Sequence, residues 1–370
     1  MSKKVEDIFN WYNLSKYRNV IYGFSALWII LFHIALYFKS VNYNPFAVQL
    51  LRAGDIGVDI FLIMSGICLF FSLKKTNGKH ILSFYKRRFS KIFKIYFLLC
   101  IPWTILLTIV KNKDLIYFIN ISSIIGKEGG YFWFINFIMV CYLLYPLVYK
   151  LIENNKSWII LSFIVLYFIF LCFLNSNYYD FFSSYQRVLV RLIPFLIGCL
   201  LGKSVYEKRT IKQRTIVISL ILLCLREAIL TLIKKGGTFM PFYITINYTY
   251  FTILAFATIF LIIILFTVFK LPKIEKIFAN LGLFSLEMYV VHYALIDLVS
   301  NKVFFNIQPK NTTQLILFFL IFPISAIVIS KSTQIILNCI PPCATIGFFA
   351  KPSSKTSSSS SSPSDKTLQK

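Results

Sequence analysis

Apolar positions in this chain gather into long runs divided by short polar stretches, without the short-period alternation of a soluble fold. A helix needs about 20 apolar residues to cross a hydrocarbon core about 30 Å thick, and roughly ten runs approach that length. They lie near residues 20–38, 56–73, 92–110, 131–151, 158–174, 187–202, 216–233, 250–269, 281–300 and 315–329. Backbone N–H and C=O groups in lipid must pair within their own segment, which predicts a helix for each run. Two softer stretches, 115–125 and 242–246, are expected to be interfacial or re-entrant. The fold class predicted is an all-α integral membrane protein with about ten transmembrane helices and short loops. Residues 1–335 read as one polytopic membrane domain, and 336–370 as a polar Ser/Lys-rich cytoplasmic tail with too few apolar residues to fold.

Composition agrees with the pattern. Only 14% of the 370 residues are charged, against about a quarter in soluble domains. The net charge of +25 would suggest nucleic acid in a soluble protein. Here the basic residues sit between spans, at 74–91, 203–214 and 270–276, whereas 175–186 has no Lys or Arg. That asymmetry marks cytoplasmic loops and argues against a nucleic-acid partner. With ten spans, both termini are expected on the cytoplasmic side of a cell membrane. Residues 1–18 are polar and lead into a span too long for a signal core, so no cleavable signal peptide is expected. Six of the eight cysteines lie in apolar runs, and Cys339 and Cys343 have no accompanying ligand set, so no metal site is expected.

Ionisable groups inside a span are costly and mark candidate sites. Of three histidines, His80 lies in a basic stretch, while His33 and His292 fall within spans one and nine. At about 100° per residue, Tyr22 and His33 share a helix face. His33 is either a packing group bonded to a carbonyl of a neighbouring helix or a functional residue. Asp59 in span two follows Asp55 by one turn, and can orient a histidine or pair with an arginine. Ser285, Tyr289 and His292 form a polar stripe at i, i+4 and i+7, with Glu287 off it. Arg87, Arg88 and Lys91 precede span three; topology explains their charge, and so would a phosphate clamp. Trp133, Arg187 and Arg191 near an outer surface are either interfacial anchors or acceptor contacts.

Residues 22–33, 54–66, 84–96 and 282–292, with weaker support from 131–146 and from Arg191 to Gly198, together resemble the acyltransferase-3 family of integral-membrane acyltransferases. The family's first-helix pattern, Arg then ten residues then His, places its His on His33 and has Tyr22 where the Arg stands; Arg18 lies one turn earlier. Its Arg-x-x-Arg pattern falls on Arg88 and Lys91, with Lys as the second member, and its usual proline corresponds to Lys94. The resemblance implies O-acylation, typically O-acetylation, of a cell-surface or exported polysaccharide. Acyl-CoA, acetyl-CoA in the simplest case, would be the co-substrate, with no permanently bound cofactor and a glycan or lipid-linked sugar as acceptor. Under it, His33, Asp59 and Tyr22 are the catalytic candidates, and Arg87, Arg88 and Lys91 would hold acyl-CoA. Ser285, Tyr289, His292, Glu287, Trp133 and Arg191 would meet the acceptor. A transporter or flippase for a lipid-linked glycan is the alternative these intramembrane charges leave open.

Overall fold

The structure is a computed structural model that describes residues 10–37, 51, 53–76, 78–111, 133–225, 228, 231–232, 243–300 and 312–339. Its regular elements among these residues are helices, accompanied by one isolated bridge between Asn10 and Thr210. In chain order they begin with α1 (Tyr12–Lys16), α2 (Arg18–Tyr37), α3 (Ile56–Lys74), α4 (Ile81–Ile95) and α5 (Ile101–Lys111). A wide π turn, Tyr96–Cys100, joins the last two. Next come α6 (Trp133–Glu153), α7 (Ser157–Asn177), α8 (Tyr179–Leu189), α9 (Leu192–Tyr206) and α10 (Gln213–Cys224). The chain continues through α11 (Tyr243–Val268), α12 (Pro272–Leu283), α13 (Ser285–Ser300) and α14 (Thr312–Cys339).

Eight helical stretches among the described residues are long and apolar enough to cross a membrane, or nine if the bent pair α12 and α13 is one span. The remaining expected run, 216–233, corresponds to α10, whose apolar part, Gln213–Leu222, is short. This is an all-α, multi-pass membrane protein. Side chains such as Trp158, Leu166 and Phe173 on α7 point outward. Lipid is the solvent that makes such a face stable.

Several expected boundaries move. The basic stretch around Lys86 to Lys91, expected as a loop, is helical: Phe84, Ile92 and Ile95 turn inward at helical spacing while Lys86 and Lys91 stay outside. The 175–186 stretch, which has no Lys or Arg, is mostly helix, since α8 begins at Tyr179 and runs with α9 as one candidate span, Tyr179–Tyr206. Span nine is broken at Phe284, where α12 and α13 meet at 73°. The 242–246 stretch is no separate re-entrant element, because from Tyr243 onward it opens the long helix α11. The last helix runs to Cys339, past the boundary expected at 335. The 115–125 stretch and the Ser-rich tail lie outside the described residues.

The two ends of the bundle differ chemically. At one end Lys74 bonds Glu153 at 2.7 Å, Lys203 bonds Asn155 at 2.9 Å, and the Trp11 N–H donates to the Arg209 carbonyl at 3.0 Å. This basic end holds the starts of α2 and α4. The opposite end holds the starts of α3, α6 and α9.

Helix α3 is the buried centre, and glycines set how closely its neighbours approach. Without a hydrophobic driving force between helices in lipid, close backbone contact at small residues carries much of the association. A Cβ on Gly66 would lie 2.6 Å from both the Phe195 carbonyl oxygen and the Cys199 nitrogen, and one on Gly198 would strike the Ile63 backbone. Gly198→Val is therefore expected to lower the thermal stability of the detergent-solubilised protein by about 1–3 kcal/mol. An unchanged melting temperature would show that α3 and α9 do not meet at this crossing.

Candidate active site

Helix α2 carries His33 near the end opposite the basic one, and α13 brings His292 against it, with ring centroids 4.9 Å apart. His33 Nδ1 lies 2.9 Å from the Ile29 carbonyl oxygen, and His292 Nδ1 lies 3.1 Å from that of Met288. Each carbonyl belongs to the histidine's own helix, four residues back, rather than to a neighbouring helix. A carbonyl only accepts hydrogen bonds, so Nδ1 must carry the proton in both rings. In the neutral form each Nε2 is left as a lone-pair acceptor. The Tyr293 hydroxyl lies 3.0 Å from His33 Nε2, which makes the phenol the donor. His292 is fully buried, and its Nε2 has no hydrogen-bond partner among the described residues. His33 is partly exposed. Of the two imidazoles, His33 is the more exposed.

Around them, Tyr289 packs on Phe134 at 4.9 Å and on Tyr293 at 5.4 Å. Phe134 in turn meets Trp133 edge-on. Behind this aromatic wall lies a buried ion triad. Arg191, between α8 and α9, places Nη2 2.7 Å from Asp55 Oδ2 and Nε 3.0 Å from Asp59 Oδ1. Its guanidinium carbon lies 5.9 Å from the Trp133 ring centroid and 5.7 Å from that of Tyr248. Arg191 and Asp59 are both about 2% exposed, whereas the Asp55 side chain retains 23%. Arg191 is thus an internal counter-ion and not a surface anchor, and Trp133 is buried against it rather than lying in an interfacial belt. Asp59 faces this arginine and not His33. The carboxylate whose charge reaches His33 and Tyr293 is Asp55.

A second polar cluster lies toward the basic end. Tyr22 precedes His33 by eleven positions on α2, about 16 Å along the helix axis. Its ring stacks on Phe61 at 5.2 Å and its hydroxyl lies 3.9 Å from Cys68 Sγ. Arg88 Nη2 donates to the Cys68 carbonyl at 3.4 Å, and the guanidinium lies 5.9 Å from the Tyr142 ring. Arg88 and Tyr22 therefore share one level, well removed from the histidines. Arg87 is half-buried beside Arg88, and Lys91, one turn on, is exposed. Glu287, 2% exposed, turns toward the charge of Lys91, and its Oε2 has no hydrogen-bond partner among the described residues.

A family model described as an acyltransferase domain, that of the acyltransferase-3 family, matches residues 17–330 and so includes both clusters. The chain belongs to the acyltransferase-3 family. No curated protein and no solved structure matches it significantly.

In this acyltransferase the residues singled out in the sequence separate into three groups. His33, His292 and Tyr289 come together at one end, with Trp133, Asp59 and Arg191 behind them. Tyr22, Arg87, Arg88 and Lys91 lie toward the other end, and Glu287 faces that group. Ser285 joins neither: its hydroxyl donates to the Gly282 carbonyl at 3.1 Å, satisfying an acceptor at the break between α12 and α13. Tyr293 and Tyr248 were not singled out. Tyr293 follows Tyr289 by one turn, so the stripe on α13 could have been extended to it. Nothing in the sequence pairs Tyr248 with Arg191.

An acyltransferase lacking the arginine would keep two carboxylates close together out of water. Removing one partner of a buried charge group costs about 3–5 kcal/mol. Arg191→Met is expected to lose that much stability, seen as a large fall in melting temperature in detergent. The combined Asp55→Asn, Asp59→Asn and Arg191→Met protein should lose less, because no charge is left uncompensated. If Arg191→Met melted like the natural protein, the triad would have no structural weight.

Proposed function

We propose that this acyltransferase moves an acyl group, acetyl in the simplest case, from cytoplasmic acyl-CoA to a hydroxyl of a cell-surface or exported polysaccharide. The observation that carries this reading is the state of His33: Nδ1–H held by the Ile29 carbonyl, Nε2 presented as a base, in a partly exposed position inside a membrane domain. A neutral imidazole near pH 7 suits general-base catalysis on a sugar hydroxyl.

Basic loops favour the cytoplasmic side, so the end carrying Lys74, Arg88 and Lys203 is assigned to the cytoplasm of a cell membrane, with both termini. On this assignment Arg88 and Lys91, assisted by Arg87, hold the phosphates of coenzyme A through charge-assisted hydrogen bonds. The acyl thioester then reaches along α2 toward His33, at the level where the acceptor arrives from outside. Tyr289 and His292 line the acceptor side, and Trp133 and Arg191 shape the wall behind them. Asp59 acts through Arg191, and Tyr22 lies along the path from Arg88 to His33. Glu287 neighbours Lys91 at the donor level.

Transfer is measured in membranes supplied with radiolabelled acetyl-CoA and a glycan acceptor. His33→Ala should lower label incorporation by about 100-fold or more, the usual worth of a general base. Arg88→Ala with Lys91→Ala should weaken acyl-CoA binding about tenfold or more, since charge-assisted contacts are lost. Normal transfer by His33→Ala would remove the histidine from the mechanism. Absence of acyl-CoA binding by the natural chain would instead favour movement of a lipid-linked glycan without acyl transfer.

A further inference from the structure

Among the described residues, Tyr293 is the one neutral donor on His33 Nε2. Its hydroxyl lies 3.0 Å from His33 Nε2, its ring centroid lies 4.7 Å from that of His33, and its side chain remains partly exposed. Because Nδ1 of His33 is committed to the Ile29 carbonyl, Nε2 offers a single lone pair. That lone pair cannot accept from the phenol and from a substrate hydroxyl at once in good geometry. An acceptor alcohol that is to be deprotonated must displace Tyr293 first. The displaced phenol then has an unspent O–H within about one hydrogen-bond length of the reacting atoms. Trp133 and Tyr289 flank it and limit where it can turn.

We propose that Tyr293 is a catalytic residue with two consecutive tasks: in the resting protein it caps His33 Nε2, and once displaced it donates to the oxyanion formed in acyl transfer. This rests on the acyl-transfer reading above and adds to it the group that stabilises the intermediate. The acceptor hydroxyl oxygen bonds to the thioester carbonyl carbon while its proton passes to His33 Nε2. The carbonyl π pair moves onto oxygen, where the Tyr293 O–H meets it. Collapse of that intermediate breaks the carbon–sulfur bond. The departing thiolate takes the proton from His33 Nε2, leaving the ester, the thiol of coenzyme A and a neutral histidine. Tyr293 returns to Nε2, and neither residue is consumed. His292 cannot take the phenol's part, since its Nδ1–H is held by Met288 and its Nε2 is an acceptor in the neutral form.

The test uses Tyr293→Phe in the full chain, with two readouts that fail separately. The first is carbethoxylation of His33 by diethyl pyrocarbonate, followed by mass spectrometry. A His80→Gln background removes the exposed third histidine, and His292 is buried. Loss of the capping hydrogen bond should make His33 react about fivefold faster. The second is steady-state acyl transfer: loss of an oxyanion donor should lower kcat by about 100- to 1000-fold, with the KM for acyl-CoA nearly unchanged. Unchanged reactivity of His33 would overturn the cap. Faster modification with an intact kcat would overturn the oxyanion role. A parallel loss of kcat and rise in KM, with unchanged modification, would reduce Tyr293 to a structural residue. If the natural chain transfers no acyl group while Tyr293→Phe still speeds modification, the acyl-transfer reading fails and the cap alone stands.

Discussion

Charge inside a membrane-spanning bundle has no bulk water to return to, and Arg191 is where this protein meets that constraint most fully. Two carboxylates from the start of α3, one arginine from the junction of α8 and α9, and two aromatic rings from α6 and α11 converge on it. The group therefore ties together four parts of the chain that are far apart in sequence. Helix α3, which bears both carboxylates, is also the helix whose glycine lets α9 approach. Placement of the arginine thus fixes the end of α3, and the end of α3 places Asp55 near His33.

The arrangement along the helix axes matters as much as the contacts. On the proposed reading, the phosphates of the donor near Arg88 and the base at His33 are separated by about 16 Å along α2. That separation suits a long, flexible donor that enters from the basic end. It also keeps the positive charges of α4 away from the imidazole of His33.

Much of the fold was legible because hydropathy summed over a full span is insensitive to detail. The runs at 56–73 and 158–174 correspond closely to α3 and α7 for this reason. Breaks were less legible, since the 73° turn at Phe284 is a matter of how α12 and α13 pack and not of local hydropathy. The run Lys86 to Lys91 read as a loop because charge was taken for exposed backbone, yet long basic side chains can leave a helix and keep their heads in water. Within the site, His33 and His292 stood out as rare intramembrane ionisable groups. Asp59 stood out too, but its partner Arg191 is more than a hundred residues away. Tyr293 is one of 22 tyrosines, and only tertiary structure distinguishes it.

The bond from His33 Nδ1 to the Ile29 carbonyl has a consequence for the membrane itself. An imidazole relays protons only when both nitrogens face groups able to give and take them. A backbone carbonyl accepts a hydrogen bond but holds no exchangeable proton to pass on. His33 is therefore a dead end rather than a link in a wire: a proton that arrives at Nε2 must leave by Nε2. His292 is sealed in the same way by Met288. Two histidines inside a membrane-spanning bundle are thus each closed at Nδ1, and neither offers a through-path for protons.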